Sequence, residues 1–191
     1  MAGPWTAEWR RVDGRGTDRV LLETAFRGRR IRGELTGPPE EGSGRVRYEI
    51  ALDAAWRTRR VRVARLGAGL SQPLRLRSDG AGSWLRDGSR APELAGCTDV
   101  DLEASPSTNL LPIRRLALPV GGVAEVLAAW VRLPQLSVEP LRQRYTRLGP
   151  RSYRYESLGS GFTADLDVDE VGLVVRYPGF WERAPGAPPN P

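Results

Sequence analysis

Apolar and polar residues alternate along most of the chain, in short runs separated by turn residues. Between residues 45 and 52, Val46, Tyr48, Ile50 and Leu52 alternate with charged side chains. This period of two predicts a strand with one buried face and one solvent-exposed face. Comparable runs predict further strands at 5–12, 20–26, 27–34, 56–63, 74–77, 84–85, 99–102, 136–147, 153–158, 162–168 and 173–177.

The segment 123–133 is the ambiguous one. Ala124, Glu125 and Leu127 favour a helix by propensity, and Leu127, Trp130 and Val131 fit a helical stripe. Its length and the following proline are equally compatible with a strand. Pattern alone favours the helix and leaves the strand open.

Some ten short strands, with at most one or two short helices, predict a mainly antiparallel sheet in a single domain over residues 1–184. So many strands must curl, close or stack to hide their apolar faces. The proline-rich residues 185–191 are predicted to be a disordered tail.

No apolar run is long enough for a membrane span, and the N-terminus lacks the basic and apolar regions of a signal peptide. Together with the single Cys97, which cannot form an intrachain disulfide, this predicts a cytoplasmic protein.

The formal net charge of +6 could indicate nucleic acid. However, all 29 basic residues are arginine and none is lysine, and many of them alternate along strands, where an outward face needs soluble side chains. No nucleic-acid-binding motif is present, so nucleic acid is not an expected partner.

Histidine is absent from the chain, which removes the commonest general base and metal ligand and excludes a Ser-His-Asp triad. The glycine pairs complete no phosphate-binding fingerprint. Asp165, Asp167 and Asp169 are better explained as a solvated row, or as partners for arginines on a neighbouring strand, than as a calcium loop. Neither a metal nor a cofactor is predicted.

The stretch 96–116 carries the densest set of directional polar groups in the chain. A short strand with Asp99 and Asp101 on one face ends at Pro106, which has no N–H to donate. Polar residues then lie among apolar anchors: Ser105, Ser107, Thr108, Asn109, Arg114 and Arg115. A polar-capped turn with two surface arginines explains the same residues.

Asp99 and Asp101 lie about 6.6–7 Å apart along a strand. That spacing suits an acid/base pair of carboxylates, and it suits two arginine partners equally well. The ion-pair interpretation is favoured, because buried carboxylates are usually paired.

Tryptophan and tyrosine residues are spread along the predicted strands, among them Trp56, Trp84 and Tyr145. Most are expected to be core. A curved sheet can also keep a concave apolar surface that accepts a ligand, with a few polar groups fixing its head.

Four segments are distinctive: Ser105-Pro106-Ser107-Thr108-Asn109, Leu111-Pro112-Ile113-Arg114-Arg115-Leu116, Ala129-Trp130-Val131-Arg132-Leu133-Pro134 and Tyr177-Pro178-Gly179-Phe180-Trp181. With the looser match of Trp56-Arg57-Thr58-Arg59, they resemble the glycolipid-binding family, bacterial proteins long catalogued as a domain of unknown function. The resemblance covers nearly the whole chain except the proline-rich tail. It implies a strongly curved antiparallel sheet forming a spiral β-roll, or unclosed barrel, and makes 123–133 a strand.

Taken together, the residues and the resemblance suggest a non-enzymatic protein that binds an amphipathic ligand such as a glycolipid. The apolar part would lie in the concave sheet, and the head group would meet the Thr-Asn and Arg-Arg loop. The expected ligand-binding residues are Asp101, Thr108, Asn109, Arg114, Arg115, Trp56, Trp84 and Tyr145, with Asp101 orienting one guanidinium. Two rivals stay open: an enzyme using Asp99 or Asp101 as acid/base with the arginines as an anion clamp, and a protein-interaction module.

Overall fold

The computed structural model describes residues 4–37, 44–67 and 72–185. Within these residues, fifteen strands form a single sheet. The strands are β1 Trp5–Arg11, β2 Thr17–Ala25, β3 Gly28–Thr36, β4 Arg45–Asp53, β5 Thr58–Leu66, β6 Leu74–Ser78, β7 Trp84–Arg86, β8 Ser89–Arg90, β9 Asp99–Leu102, β10 Val123–Val131, β11 Val138–Gly149, β12 Ser152–Ser157, β13 Phe162–Val168, β14 Val174–Tyr177 and β15 Trp181–Arg183. One α-helix, α1 (Leu110–Leu116), and 3-10 turns at Pro92–Leu94 and Pro106–Asn109 complete these elements.

The sheet is an open meander. Its first half, β1–β8, and its second half, β9–β15, join where β1 pairs with β15. Its strand order is β8-β7-β6-β5-β4-β3-β2-β1-β15-β14-β13-β12-β11-β10-β9, so that β1 pairs with β15 at the centre. β8 and β9 remain as edges, and the barrel is not closed. The predicted mainly-β, unclosed fold is confirmed. All neighbours pair antiparallel except β9 and β10, which are parallel.

The sheet curls until its last strand approaches the opposite half. The backbone N–H of Val100 in β9 donates to Thr58 Oγ1 in β5 at 3.2 Å. Next to it, the Trp84 indole N–H donates to the Cys97 carbonyl at 2.8 Å. The β9 edge is therefore covered by the first half of the sheet, as in a spiral.

Inward-facing apolar residues form the core, and outward-facing charges form cross-strand pairs. In β4, for example, Val46, Tyr48, Ile50 and Leu52 are buried, as their alternation predicts. The aspartate row pairs with arginines: Arg154–Asp165 at 2.8 Å, Arg176–Asp167 at 2.8 Å and Arg183–Asp169 at 2.7 Å. No group of residues suited to a metal ion occurs in the described parts of the chain.

The interior of the curl is filled by the segment that follows β9. From Ser105 to Ile113 every residue is buried, through the 3-10 turn and the first half of α1. Pro112 is tolerated because it is the third residue of the helix, where the backbone N–H has no intrahelical partner. The expected apolar hollow is thus occupied by the chain itself, and the remaining space lies to one side of this segment. We call residues 105–116 the inner segment.

Residues 123–131 form β10 and not a helix. β10 pairs with β11 along its whole length and with β9 on its other side. Val126, Ala128 and Val131 are buried by those neighbours. Packing in the sheet therefore outweighs the helical propensity of alanine, glutamate and leucine.

A buried hydroxyl cluster ties the inner segment to the first half of the sheet. The Tyr48 hydroxyl lies 2.9 Å from Asp18 Oδ1 and 2.8 Å from Ser107 Oγ, and Ser105 Oγ donates to Asp18 Oδ2 at 2.5 Å. Gly33 in β3 stands opposite Tyr48 in β4 and has no side chain. The Tyr48 ring therefore packs across Gly33 and reaches Asp18 in β2.

The predicted disordered tail, residues 185–191, lies outside the described residues except for its first residue. Among the described residues, no helix is long and apolar enough to cross a membrane.

The hydroxyl cluster makes stability depend on pH. Burial raises the pKa of Asp18 to about 7, although the hydrogen bonds from Ser105 and Tyr48 oppose the shift. The native state therefore holds a proton that the unfolded state has lost above its ordinary pKa near 3.8. We expect this carboxyl to reduce the free energy of unfolding by up to about 1.4 kcal/mol per pH unit as pH rises between these two values.

Urea denaturation at several pH values between about 4 and 8 measures this effect, and Asp18→Asn should flatten the profile. Asp165→Asn is the matched control, because Arg154 lowers the pKa of that exposed carboxyl and it stays charged over the range. Equal profiles for the wild type and Asp18→Asn would contradict the account.

Candidate ligand-binding cleft

A cavity of about 430 Å³ opens beside the inner segment, between the end of β9 and the second half of the sheet. Its walls are largely aromatic and its floor is polar. The lining residues that matter below are Asp101, Asn109, Trp130, Tyr155, Phe162, Tyr177, Phe180 and Trp181 at the floor and walls, with Glu103 and Glu139 at the mouth. We call this space the aromatic cleft.

The aromatic wall is built from β12, β13 and the β14–β15 turn. The Phe162 ring packs 6.2 Å from Tyr155 and 5.4 Å from Phe180, measured between centroids. Tyr177 lies 5.5 Å from Phe180 in an edge-to-face arrangement. Such tilted contacts hold the rings in fixed orientations. Phe180 is 48% exposed, so the wall continues to the surface.

The cleft floor contains a carboxylate without a cationic partner among the described residues. Asp101 Oδ1 accepts a hydrogen bond from Thr108 Oγ1 at 2.8 Å, and its Oδ2 accepts one from Gln143 Nε2 at 2.6 Å. Burial is the main reason that the pKa of Asp101 is raised, and the two hydrogen bonds only partly offset it. Asp101 is therefore held by neutral donors and can exchange hydrogen bonds with a polar ligand.

Asn109 is the second polar group of the floor. It ends the 3-10 turn of the inner segment and is buried. Its Oδ1 accepts a hydrogen bond from the Tyr145 hydroxyl at 2.9 Å, and its amide nitrogen is 3.4 Å from the Pro106 carbonyl. Tyr145 therefore fixes the amide orientation from behind.

An arginine outside the lining pairs with both glutamates at the mouth of the cleft and leaves the mouth with one excess negative charge. Arg132 lies 3.3 Å from both Glu103 and Glu139 and stacks 4.4 Å from the Trp130 ring centroid. Among the described residues, no arginine lines the cleft itself. The site therefore offers acceptors and ring faces but no cation for a phosphate.

Of the eight predicted ligand-binding residues, only Asp101 and Asn109 line this cleft. Thr108 and Tyr145 lie one hydrogen bond behind them. Trp84 is in the core and borders a different groove. Trp56 is also buried, away from the cleft, with Arg29 and Arg114 over its ring.

The predicted arginine pair is not at the cleft mouth, and Asp101 orients no guanidinium. Instead, Arg115 makes a buried salt bridge with Asp99, at 2.6 Å between Nη2 and Oδ2, while Arg114 is exposed on the other side of α1. Adjacent residues on a helix point about 100° apart, so one packs against β9 and the other faces away. The ion-pair interpretation is correct for Asp99.

The sequence does not predict that the residues of the aromatic wall form a ligand-binding site. Trp130, Trp181, Tyr155 and Tyr177 stand out in the sequence only as scattered core candidates, and the two phenylalanines carry no polar signal. Their convergence depends on β15 pairing with β1, which places the Phe180 turn at the centre of the sheet. No local pattern shows that pairing.

The fold and the cleft define a class: an open, spirally curved β-sheet protein with an aromatic pocket beside a buried inner segment. Residues 6–183 match the family model described as "Putative glycolipid-binding", and the chain belongs to this family. It is similar to the crystal structure of a DUF1089 family protein from Pseudomonas aeruginosa, with 35% identity and a TM-score of 0.78 over 96% of this chain and 94% of that one. No curated protein matches the chain.

The two arginines of α1 should differ sharply in their effect on stability. We expect Arg115→Ala to lower the free energy of unfolding by about 3 kcal/mol, because it leaves Asp99 buried and unpaired. Arg114→Ala should cost no more than about 1 kcal/mol, the value of its contact with Trp56. Chemical denaturation of both variants provides the measurement, and equal losses would contradict the assigned contacts.

Proposed function

We propose that the protein binds a glycolipid with an uncharged sugar head group, and that this head group occupies the aromatic cleft. The observation that carries the proposal is Asp101 at the floor of an aromatic pocket, held only by neutral donors. A sugar presents hydroxyl donors together with flat C–H faces. The hydroxyl groups can donate hydrogen bonds to a carboxylate and an amide oxygen, and the C–H faces can pack on aromatic rings.

Size and charge support the same ligand class. A volume of about 430 Å³ lies within the range of roughly 300–1,000 Å³ typical of small-molecule sites. The carboxylates at the floor and mouth disfavour an anionic head group. The exposed Phe180 ring would receive the first part of the apolar chain as it leaves the pocket.

The family description agrees with a ligand-binding role. The inner segment changes where the ligand is expected to bind. Residues 105–113 are buried inside the curl and occupy the place where the acyl chain was expected. We therefore propose that the lipid lies across the cleft and that the protein does not enclose its tail.

Calorimetric titration with n-octyl β-D-glucoside below its micellar concentration tests the proposal. We expect saturable binding that Phe162→Ala weakens about tenfold, because a ring face of the wall is lost. Asp101→Asn should weaken binding by roughly three- to tenfold, since an amide replaces two acceptor oxygens. Octyl sulfate, with the same chain and an anionic head, should bind more weakly than the glucoside.

Arg114→Ala is the matched control, because Arg114 faces away from the cleft, and its affinity should equal that of the wild type. The proposal fails if octyl sulfate and octyl glucoside bind alike. It also fails if Arg114→Ala abolishes binding while Phe162→Ala has no effect.

One observation favours a second candidate, an enzyme that acts on a glycosylated substrate. Asp101 lies in a cleft and its raised pKa suits a general acid. Asp99, its proposed partner, is held in the salt bridge with Arg115, and neither arginine lines the cleft as an anion clamp. Release of nitrophenol from nitrophenyl glycosides by the wild type, and its loss in Asp101→Asn, would decide for the enzyme.

A further inference from the structure

Three neighbouring turns form a surface at one end of the sheet, remote in sequence from the aromatic cleft. They are the β2–β3 turn at residues 26–27, the β4–β5 turn at 54–57 and the β6–β7 turn at 79–83. At the tip of the first turn, the Phe26 side chain is 98% exposed. We call these turns and the adjoining Arg29 and Arg59 the turn rim. None of these residues lines the cleft.

Direct contacts join the three turns into one surface. Arg29 donates to the Ala54 carbonyl at 3.1 Å, which links the first turn to the second. Arg59 donates to the Asp79 carbonyl, which links the second to the third. The guanidinium carbon of Arg27 lies 5.8 Å from the Phe26 ring centroid.

The rim is basic, and two carboxylates, Asp79 within it and Asp53 directly before its second turn, are engaged by backbone N–H groups of the turns. Four arginines are present: Arg27, Arg29, Arg57 and Arg59. Asp53 accepts from the backbone N–H groups of residues 55 and 57, both at 2.9 Å. Asp79 accepts from those of residues 81 and 83, at 2.7 and 3.0 Å. These carboxylates shape the turns, and with both counted the rim keeps an excess of two positive charges.

Positive charge continues from the rim onto the outer face of β5 and β6. Arg60 stands directly opposite Arg77, and Arg62 opposite Arg75. None of these four forms an ion pair with any residue in the described ranges. Glu49 in β4 stands opposite Arg62 but pairs with Arg30 and Arg32. Like charges placed opposite each other on a sheet destabilise it, so an anionic partner would relieve a cost built into this face.

We propose that the turn rim docks the protein on the surface of an anionic lipid bilayer. An exposed aromatic ring among arginines matches both layers of such a surface. The ring enters the boundary between head groups and acyl chains, and the guanidinium groups meet the lipid phosphates. Exposed Ala54, Ala55 and Ala81 let the turns approach closely. A nucleic acid duplex would engage the arginines, but its bases are already stacked on one another and would offer Phe26 no apolar layer to enter.

Co-sedimentation with vesicles tests this docking. The probes are vesicles of phosphatidylcholine alone and vesicles mixed with phosphatidylglycerol, at about 0.1 M and about 0.5 M NaCl. We expect binding to the anionic vesicles only, weakened by salt. Phe26→Ala should reduce partitioning about tenfold, because the buried ring is lost. Arg27→Gln and Arg57→Gln should each reduce it about fivefold.

Leu148→Ala is the matched control, since Leu148 is 42% exposed at the end of β11 and lies outside the rim. Circular dichroism and thermal melting should show that all variants are folded like the wild type. Equal binding to neutral and anionic vesicles, or no loss in Phe26→Ala, would overturn the proposal. Salt-sensitive binding to a DNA duplex that is unchanged in Phe26→Ala, without vesicle binding, would assign the surface to nucleic acid instead.

The rim and the cleft share no residue, so the two proposals fail separately. Vesicle binding measured without glycolipid does not depend on the cleft, and octyl glucoside titration does not depend on the rim. Phe162→Ala should leave vesicle binding unchanged, and loss of vesicle binding in that variant would count against the rim.

Discussion

The described part of the chain forms a curved sheet of fifteen strands. Its concave face must be covered, and here a polar stretch of the chain covers it. The inner segment enters that space with serines, a threonine and an asparagine, each of which needs a hydrogen-bond partner once it is buried. Those partners come from both halves of the sheet: Asp18 and Tyr48 from the first, and Tyr145 from the second. Because these hydrogen bonds join the segment to both halves of the sheet, they hold its position relative to both.

The position of the inner segment in turn defines the site. Asp101 precedes it and Asn109 lies within it, so the same buried packing that completes the core presents both groups to the cleft. A Cβ atom placed on Gly172, in the turn before β14, would lie only 3.2–3.3 Å from side chains of α1. The helix therefore packs tightly against the half of the sheet that carries the aromatic wall. Core packing and ligand geometry are coupled through this one stretch of chain.

Much of the fold follows from local pattern. Alternation in β4 and β13 predicts both the strands and their buried faces, and turn residues such as Asp79 and Gly80 mark where strands end. Helical propensity is misleading for β10, because pairing with β9 and β11 decides its conformation. The parallel β9–β10 pair and the β1–β15 pair join residues distant in sequence, and no local signal specifies them.

The candidate site was predictable only in part, for the same reason. The polar density of 105–109 correctly marks a special segment, yet it cannot distinguish a segment that lines a hollow from one that fills it. Arg114 and Arg115 are equivalent in sequence, and only the packing of α1 on β9 separates a buried ion pair from a surface group. The aromatic wall comes from β12, β13 and the last turn, which converge through long-range pairing.

The central claim is that the inner segment fills the curl and that the ligand binds beside it, in the aromatic cleft. A crystal structure of the protein soaked with n-octyl β-D-glucoside tests it directly. The account predicts sugar density against Asp101, Asn109 and the Phe162 ring, with residues 105–116 in place. Density for the glucoside inside the curl, with the inner segment displaced from Asp18 and Tyr48, would contradict it.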